Sequence, residues 1–160
     1  GLMATIQRDD LDRLMAVMDH AFDPHWGEAW TRRQVEDALV TGLCDYFLIS
    51  GSGDEAGPGE SAAGFTLTRM VAGEAELLLL AVHPLWRERG LGGKLLDVLL
   101  HHAQDTGVNR VFLEMRRGNP AEHLYRRFGF EPVGVRPNYY RTKSGERIDA
   151  VTFALSIDTN

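Results

Sequence analysis

A glycine-rich turn with three cationic side chains, Arg87, Arg89 and Lys94, follows the apolar run Leu77–Val82. The residues after the turn have the pattern of an amphipathic helix, which is predicted to begin at Gly92. A helix N-terminus presents backbone N–H groups that lack partners, together with the positive end of the helix dipole. The strand, turn and helix therefore predict an anion site, above all one for a phosphate group.

The spacing of the glycines excludes two common phosphate loops. A P-loop requires a glycine where Glu88 stands and a serine or threonine where Leu95 stands. A dinucleotide-binding fingerprint requires a third glycine, again at Leu95. The pattern that remains is Arg87-x-x-Gly90-x-Gly92.

Composition is that of one globular domain, predicted to span residues 1–160. The chain is 44% hydrophobic and 25% charged, and its net charge is −6. This acidic balance argues against nucleic-acid binding and suits a cationic acceptor such as an amine, although solubility explains it equally well. With Cys44 the single cysteine and no metal-ligand spacing among the six histidines, no metal site is expected. No membrane-length apolar run and no signal peptide are found, so a cytoplasmic protein is expected.

Hydrophobic periodicity and turn residues predict alternating helices and strands along the whole chain. They favour an α/β fold (α+β mixed sheet) with helices on both faces of a mixed, mostly antiparallel sheet. Asp9 or Asp10 is expected to cap the first helix. The predicted strands are Ala4–Gln7, Tyr46–Ile49, Phe65–Val71, Glu74–Val82, Arg110–Met115, Glu131–Tyr140 and Ala150–Ser156; the helices lie around Leu11–Phe22, from Thr31 to about Leu39, from Gly92 to about Thr106, and from Ala121 to Phe128.

The pattern Arg87-x-x-Gly90-x-Gly92 and this order of elements resemble the GNAT superfamily of acetyl-CoA-dependent N-acetyltransferases. The segments Leu124–Phe130 and Val135–Tyr140 are similar to the ribosomal-protein-alanine N-acetyltransferase branch and, more loosely, to other protein N-terminal acetyltransferases. The resemblance implies one GNAT-like (acyl-CoA N-acyltransferase) domain with acetyl-CoA as cofactor.

The resemblance also implies roles for individual residues. Glu114 would be the general base that takes the proton of the amine, and Tyr125 the general acid beside the sulfur. Alternatively, Glu114 is a solvent-facing residue paired with Arg116, and Tyr125 packs against Phe128 or Phe130. One backbone N–H at or beside Val82 would face the thioester oxygen. The implied cofactor-binding residues are Leu80, Ala81, Val82, Arg87, Glu88, Arg89, Gly90, Leu91, Gly92, Gly93, Lys94 and Asn119.

Three departures from the branch concern the cofactor and the acceptor. Asn119 lies six residues before Tyr125 where the branch has seven, so its cofactor contact is in doubt, and it also fits an N-cap before Pro120. His83 stands where the branch has Asp. The third departure is extra residues in Phe22–Trp30. The implied acceptor-binding residues are Trp26, Tyr139 and Tyr140.

The sequence thus predicts an N-acetyltransferase that transfers the acetyl group directly to a primary amine in a ternary complex, as a monomer or homodimer. The expected acceptor is a protein N-terminal α-amino group, with no nucleic-acid or membrane partner. Two alternatives remain: a small-molecule amine as acceptor, or a non-catalytic acyl-CoA-binding regulatory module.

Overall fold

The structure is a computed structural model that describes residues 8–158. The predicted strand Ala4–Gln7 lies outside this range. No helix in the described range is both long and apolar enough to span a bilayer. In chain order the elements are α1 (Arg8–Ala21), α2 (Arg32–Val40), β1 (Cys44–Ile49), β2 (Gly64–Val71), β3 (Glu74–Val82), α3 (Leu91–Asp105), β4 (Arg110–Arg116), α4 (Glu122–Arg127), β5 (Glu131–Arg141) and β6 (Arg147–Ser156).

The six strands of residues 8–158 form one sheet in the order β1-β2-β3-β4-β6-β5. Every neighbouring pair is antiparallel except β3 and β4, which are parallel because α3 crosses between them. The prediction of a mixed, mostly antiparallel sheet is confirmed.

Helices cover both faces of this sheet, as predicted. Apolar side chains of α1 and α2, such as Leu14 and Val35, pack with Phe65 of β2 on one face. On the other face α3 and α4 pack with β3, β4 and β6 through residues such as Leu96 and Phe153. The sheet is therefore packed on both faces.

Local sequence explains where the helices begin. Thr31 and Gln34 form a complete capping box at the start of α2, as predicted. The expected cap of α1 is wrong, because Asp9 and Asp10 both lie inside its first turn. There their carboxylates still interact favourably with the helix dipole.

A β-bulge in β3 changes which face its side chains point to. Leu67 of β2 is paired with Leu79, whereas Thr68 is paired with Leu77, so Leu78 is an extra residue. Ala75 and Leu77 consequently pack in the core beneath α3, whereas Leu79 and Ala81 pack in the core beneath α1. The bulge lies where β3 starts to diverge from β4.

Candidate active site

A cleft of about 700 Å³ opens where β3 and β4 separate. The two strands are paired only from Glu74 and Arg110 to Glu76 and Phe112. In the described part of the chain, the later residues of β3 have no strand partner on the β4 side. Their backbone groups are therefore available to a ligand that lies along the strand. The walls are Leu77–Val82 of β3 and Leu113–Arg116 of β4.

The turn after β3 leads directly into the N-terminus of α3. Its backbone has positive φ at Glu88 (62°) and at Gly90 (78°). Among the described residues, the first hydrogen bond of the helix runs from the Lys94 N–H to the Gly90 carbonyl, at 3.1 Å. The N–H groups of Leu91–Gly93 therefore have no carbonyl of the helix to donate to. This turn fits a phosphate, as the sequence predicts.

The glycines of this turn have different structural roles. A Cβ on Gly90 would meet nothing within 4 Å, so the space above it is open, but its φ disfavours other residues. A Cβ on Gly92 would lie 3.1 Å from Leu124 of α4, and one on Gly93 would lie 3.8 Å from Phe128. Gly92 and Gly93 thus allow α3 and α4 to approach each other closely.

The three cations of the turn also differ. Arg87 donates through Nη2 to the Ala21 carbonyl at 2.5 Å and through Nε to the Val82 carbonyl at 3.3 Å. The guanidinium of Arg89 lies over the Trp86 ring, 5.0 Å from its centroid. Lys94 Nζ lies above the backbone of Gly53, where a Cβ would be only 2.3 Å away. Arg87 therefore supports the turn through backbone carbonyls.

Tyr125 of α4 is a buried residue that lines the cleft. Its ring packs edge-on against Phe130, so the packing alternative from the sequence is also realised. Burial, and then the nearby charge of Glu28, raise the pKa of the Tyr125 phenol. The phenol is consequently protonated at neutral pH, which is the state required of a proton donor.

Glu114 of β4 lines the same cleft, and its side chain is largely buried. Its Oε2 lies 3.1 Å from Nε of Arg136, a solvent-exposed residue of β5, and accepts a 3.5 Å hydrogen bond from Thr152. The alternative partner Arg116 is instead paired with Glu28. Glu114 and Tyr125 are thus brought to one cleft by different elements of the fold.

Glu28, which the sequence analysis did not select, is a second carboxylate in this cleft. It lies between α1 and α2, where its Oε1 is 3.6 Å from Arg116 Nε and its Oε2 accepts a 3.2 Å hydrogen bond from Asn119. Burial raises the pKa of Glu28, against the opposing effect of the Arg116 charge. The one sequence feature that could have pointed to Glu28 is its place among the extra residues of Phe22–Trp30.

Asn119 combines two contacts with protein atoms. Its Oδ1 accepts a 2.9 Å hydrogen bond from the Ala121 N–H in the turn before α4. The N-cap of α4 is Ala121, which has no side-chain capping hydrogen bond, so the expected N-cap role of Asn119 is wrong. Its Nδ2 donates to Glu28. Asn119 lines the cleft, and its contact with a cofactor stays a prediction.

The three expected acceptor-binding residues are placed differently. Trp26 lines the cleft, with the guanidinium of Arg116 3.7 Å from its ring centroid. Tyr140 also lines the cleft, and burial and then the Glu114 charge raise its pKa to about 12. Tyr139 is 51% exposed and is not among the lining residues. The pairing of β5 with β6 shifts register between Arg136 and Tyr140.

Sequence comparison identifies the family. The profile of the Acetyltransferase (GNAT) family matches residues 11–130. The chain belongs to the GNAT acetyltransferase family.

Several relatives of this GNAT domain are curated as [ribosomal protein bS18]-alanine N-acetyltransferases. The Escherichia coli protein is 41% identical over 96 residues, which are 59% of this chain and 64% of that protein. The Haemophilus influenzae protein is 38% identical over 91 residues, 57% of this chain and 62% of that protein. The matched stretch is thus less than two thirds of either relative.

Structural comparison extends the similarity to nearly the whole GNAT domain. The crystal structure of the ribosomal-protein-S18-alanine N-acetyltransferase from Escherichia coli superposes with a TM-score of 0.81 at 28% identity. The alignment covers 98% of this chain and 94% of that one. The single-domain fold with its mixed six-stranded sheet is therefore the GNAT fold.

GNAT-family acetyltransferases use acetyl-CoA, and two features of this structure fit that molecule. The unpaired N–H groups at the start of α3 suit a diphosphate, which needs several donors at close range. The unpaired edge of β3 suits an extended chain with amide groups, which can pair with a strand. The two features are adjacent, since the turn follows directly after Val82.

Proposed function

We propose that the protein is an acetyl-CoA-dependent N-acetyltransferase that transfers the acetyl group directly to a primary amine, with a protein N-terminal α-amino group as acceptor. The observation that carries this proposal is the cleft between β3 and β4. It combines an unpaired strand edge with a buried tyrosine and two carboxylates, next to a turn with free N–H groups.

The chain's own residues would hold the cofactor through its backbone. The N–H groups of Leu91–Gly93 donate to the diphosphate, and Arg89 adds positive charge. Leu80, Ala81 and Val82 offer backbone groups to the amide-bearing arm, and a donor there polarises the thioester carbonyl. Acetyl-CoA supplies the acetyl group as a thioester, which is already activated for attack by an amine.

Two proton transfers complete the reaction. The α-amino group has an ordinary pKa of about 8 and the thiol one of about 8.5, so neither transfer needs an extreme acid or base. Tyr125, held protonated by burial, donates to the departing sulfur. Glu114, which lines the same cleft, receives a proton from the amine.

The choice of a protein N-terminus as acceptor rests on two grounds. The relatives in Escherichia coli and Haemophilus influenzae are named for an alanine of a ribosomal protein. The acceptor end of the cleft, with Trp26 and Tyr140, also offers aromatic surface for the first residues of a peptide. Such an acceptor would place the reaction in the cytoplasm; a monomeric or homodimeric state stays a prediction.

The test is thiol release from acetyl-CoA over a panel of peptides with free N-termini and small amines, with mass spectrometry to locate the acetyl group. We expect turnover with peptides, and an acetyl group on the α-amino nitrogen. Turnover with small amines alone would mean that the acceptor is a small-molecule amine and not a protein N-terminus. Tight CoA binding without turnover on any acceptor would favour the regulatory module.

A further inference from the structure

Arg116, the last residue of β4, brings a guanidinium with an unmet hydrogen-bond donor into the cleft. The side chain lines the cleft and is only 11% exposed. Its Nε is buried, yet no residue in the described range accepts a hydrogen bond from it. A guanidinium has five N–H donors and no acceptor, and buried donors are normally paired. The unmet donor indicates that a group with a free acceptor atom binds here.

Two neighbours hold this guanidinium in place without satisfying its Nε–H. The Glu28 carboxylate lies 3.6 Å from Nε, which makes an ion pair but is too long for a hydrogen bond. The ring of Trp26 lies against the guanidinium, with 3.7 Å between the ring centroid and Cζ. This cation–π contact needs no N–H donor. Arg116 is therefore positioned by its neighbours while donor capacity remains for a ligand.

The position of Arg116 is that of an acceptor-binding group. The features that fit acetyl-CoA lie along β3 and at the start of α3. Arg116 lies on the other strand of the cleft, two residues after Glu114, so the two side chains point to the same face of the sheet. In an α-amino acyl group, the nitrogen and the carbonyl oxygen are only about 3 Å apart. An acceptor whose amine approaches Glu114 therefore has its carbonyl near Arg116.

The charges of the cleft favour an amide carbonyl over a carboxylate as the partner of Arg116. Among the described residues that line the cleft, three have carboxylates and two have guanidinium groups: Asp23, Glu28, Glu114, Arg87 and Arg116. The excess of negative charge favours an acceptor that is cationic overall. A peptide N-terminus combines one positive charge with a neutral carbonyl, whereas a free amino acid adds a carboxylate and is neutral overall.

We propose that Arg116 determines acceptor specificity by donating a hydrogen bond to the first carbonyl oxygen of a peptide acceptor. This inference rests on the proposed transferase function and deepens it, because it defines the acceptor class as an α-amino group next to an amide carbonyl. An amine without that carbonyl leaves the buried N–H unpaired, which weakens its binding. Arg116 takes no part in proton transfer; through the carbonyl it orients the amine in the cleft.

A purely structural Arg116 would neutralise Glu28 and support Trp26. Replacement of a structural residue would affect all acceptors alike. A hydrogen bond to the acceptor makes the effect depend on one oxygen atom of the acceptor. Two acceptors that differ only in that atom therefore separate the two roles.

The experiment measures kcat and KM at saturating acetyl-CoA for two peptides. Both begin with alanine, the residue for which the relatives are named. In the second peptide, sulfur replaces the first carbonyl oxygen, which keeps the shape similar but gives a weaker hydrogen-bond acceptor. We expect wild type to prefer the oxygen peptide by about five-fold or more in kcat/KM.

The test variant is Arg116→Lys, which keeps a positive charge beside Glu28 but removes Nε–H and the planar fork of donors. We expect it to raise KM for the oxygen peptide by about 10-fold, because a charge-assisted hydrogen bond is lost. Its kcat should stay within a factor of about three, as expected when only binding is affected. The preference for oxygen over sulfur should largely disappear.

The matched control is Arg126→Lys on α4. Arg126 also pairs with a glutamate, Glu122, and lies over an aromatic ring, that of Phe153, but it does not line the cleft. This variant should keep the wild-type KM and the wild-type preference for oxygen. Thermal unfolding shows whether Arg116→Lys is folded. If it is not, the preference of wild type decides, since that measurement needs no variant.

A second readout needs no acetyl transfer. Calorimetric titration of the protein loaded with CoA, in place of acetyl-CoA, measures the binding of both peptides, and the oxygen peptide should again bind more tightly. Alaninamide and free alanine, used as competitors in this titration at pH 7, separate an amide carbonyl from a carboxylate. We expect alaninamide to compete at a concentration at least several-fold lower. The reverse order would overturn the assignment of Arg116 to a peptide carbonyl.

The outcomes distinguish this inference from the function on which it rests. A wild-type protein that acetylates no amine removes the proposed function, and this inference with it. If wild type acetylates both peptides equally well, or Arg116→Lys impairs both by the same factor, the role of Arg116 is overturned and the transferase function stands.

Discussion

Arg87 donates a 2.5 Å hydrogen bond from Nη2 to the carbonyl of Ala21, the last residue of α1. Its Nε donates to the Val82 carbonyl, the last residue of β3. One guanidinium therefore fastens a helix end to the strand end from which the phosphate-binding turn starts. The sequence predicted that the Arg87 charge binds a phosphate, whereas in the structure the Arg87 guanidinium donates to two backbone carbonyls.

Replacement of Arg87 by alanine should reduce stability more than cofactor affinity. Two hydrogen bonds to carbonyls are lost, and we expect unfolding free energy to fall by about 1–3 kcal/mol. Arg89→Ala is the comparison: the Arg89 guanidinium lies over the Trp86 ring, and its loss should mainly weaken CoA binding, several-fold. Urea denaturation measures the loss of stability, and calorimetric CoA titration measures the loss of affinity. If Arg87→Ala lost more CoA affinity than stability, Arg87 would be a phosphate-binding residue.

Gly90→Ala should weaken CoA binding at a small cost in stability. Gly90 has φ of 78° at the N-terminus of α3, so a Cβ strains the backbone that aims the free N–H groups. We expect unfolding free energy to fall by about 1 kcal/mol and the CoA dissociation constant to rise at least several-fold.

The matched control for this variant is Gly107→Ala. Gly107 has φ of 79° and open space around its Cβ position, but it follows the other end of α3. Gly107→Ala should lower the unfolding free energy by a similar amount to Gly90→Ala, whereas its CoA affinity should stay at the wild-type value. Equal affinity losses in both variants would mean that general destabilisation, not the turn, controls binding.

The turn and the two catalytic candidates were predictable because each depends on local sequence. Gly90 and Gly92 sit in one contiguous motif, and the apolar run before it forms β3 with the predicted bounds. Glu114 and Tyr125 were found through a resemblance that spans their own strand and helix. Both lie in the cleft, although their catalytic roles stay predictions.

The positions that sequence could not give depend on irregular backbone. Glu28 reaches the cleft through a 3₁₀ turn and a left-handed glycine, which no hydrophobic periodicity describes. Tyr139 and Tyr140 are adjacent, and Tyr140, which lines the cleft, follows a register shift in β5 and the positive φ of Asn138. Such features arise from tertiary contacts rather than from local propensity.

Tyr125→Phe should lower turnover far more than CoA affinity. The ring would keep its edge-on contact with Phe130, so the fold is preserved while the proton donor is lost. We expect kcat to fall by about 100-fold, the usual contribution of general acid catalysis, with the CoA dissociation constant within a factor of about three. Steady-state kinetics and CoA titration measure this; an unchanged kcat would exclude Tyr125 as the acid.

Asp10→Asn should destabilise the protein at neutral pH and lose this effect in acid. Asp10 accepts 2.6 Å hydrogen bonds from Tyr46 and from Arg13, and the Tyr46 hydroxyl is the largest cause that lowers its pKa. Because the folded-state pKa lies below the unfolded one, the stabilisation is complete above the unfolded value of about 3.9 and disappears as pH falls through the folded value. We expect a loss of about 1 kcal/mol at pH 7 by urea denaturation, shrinking in acid below the unfolded pKa. The control is Asp12→Asn, which breaks an exposed pair with Arg32 and should change stability by less than about 0.5 kcal/mol. If the loss of stability in Asp10→Asn did not depend on pH, packing rather than charge would be responsible for it.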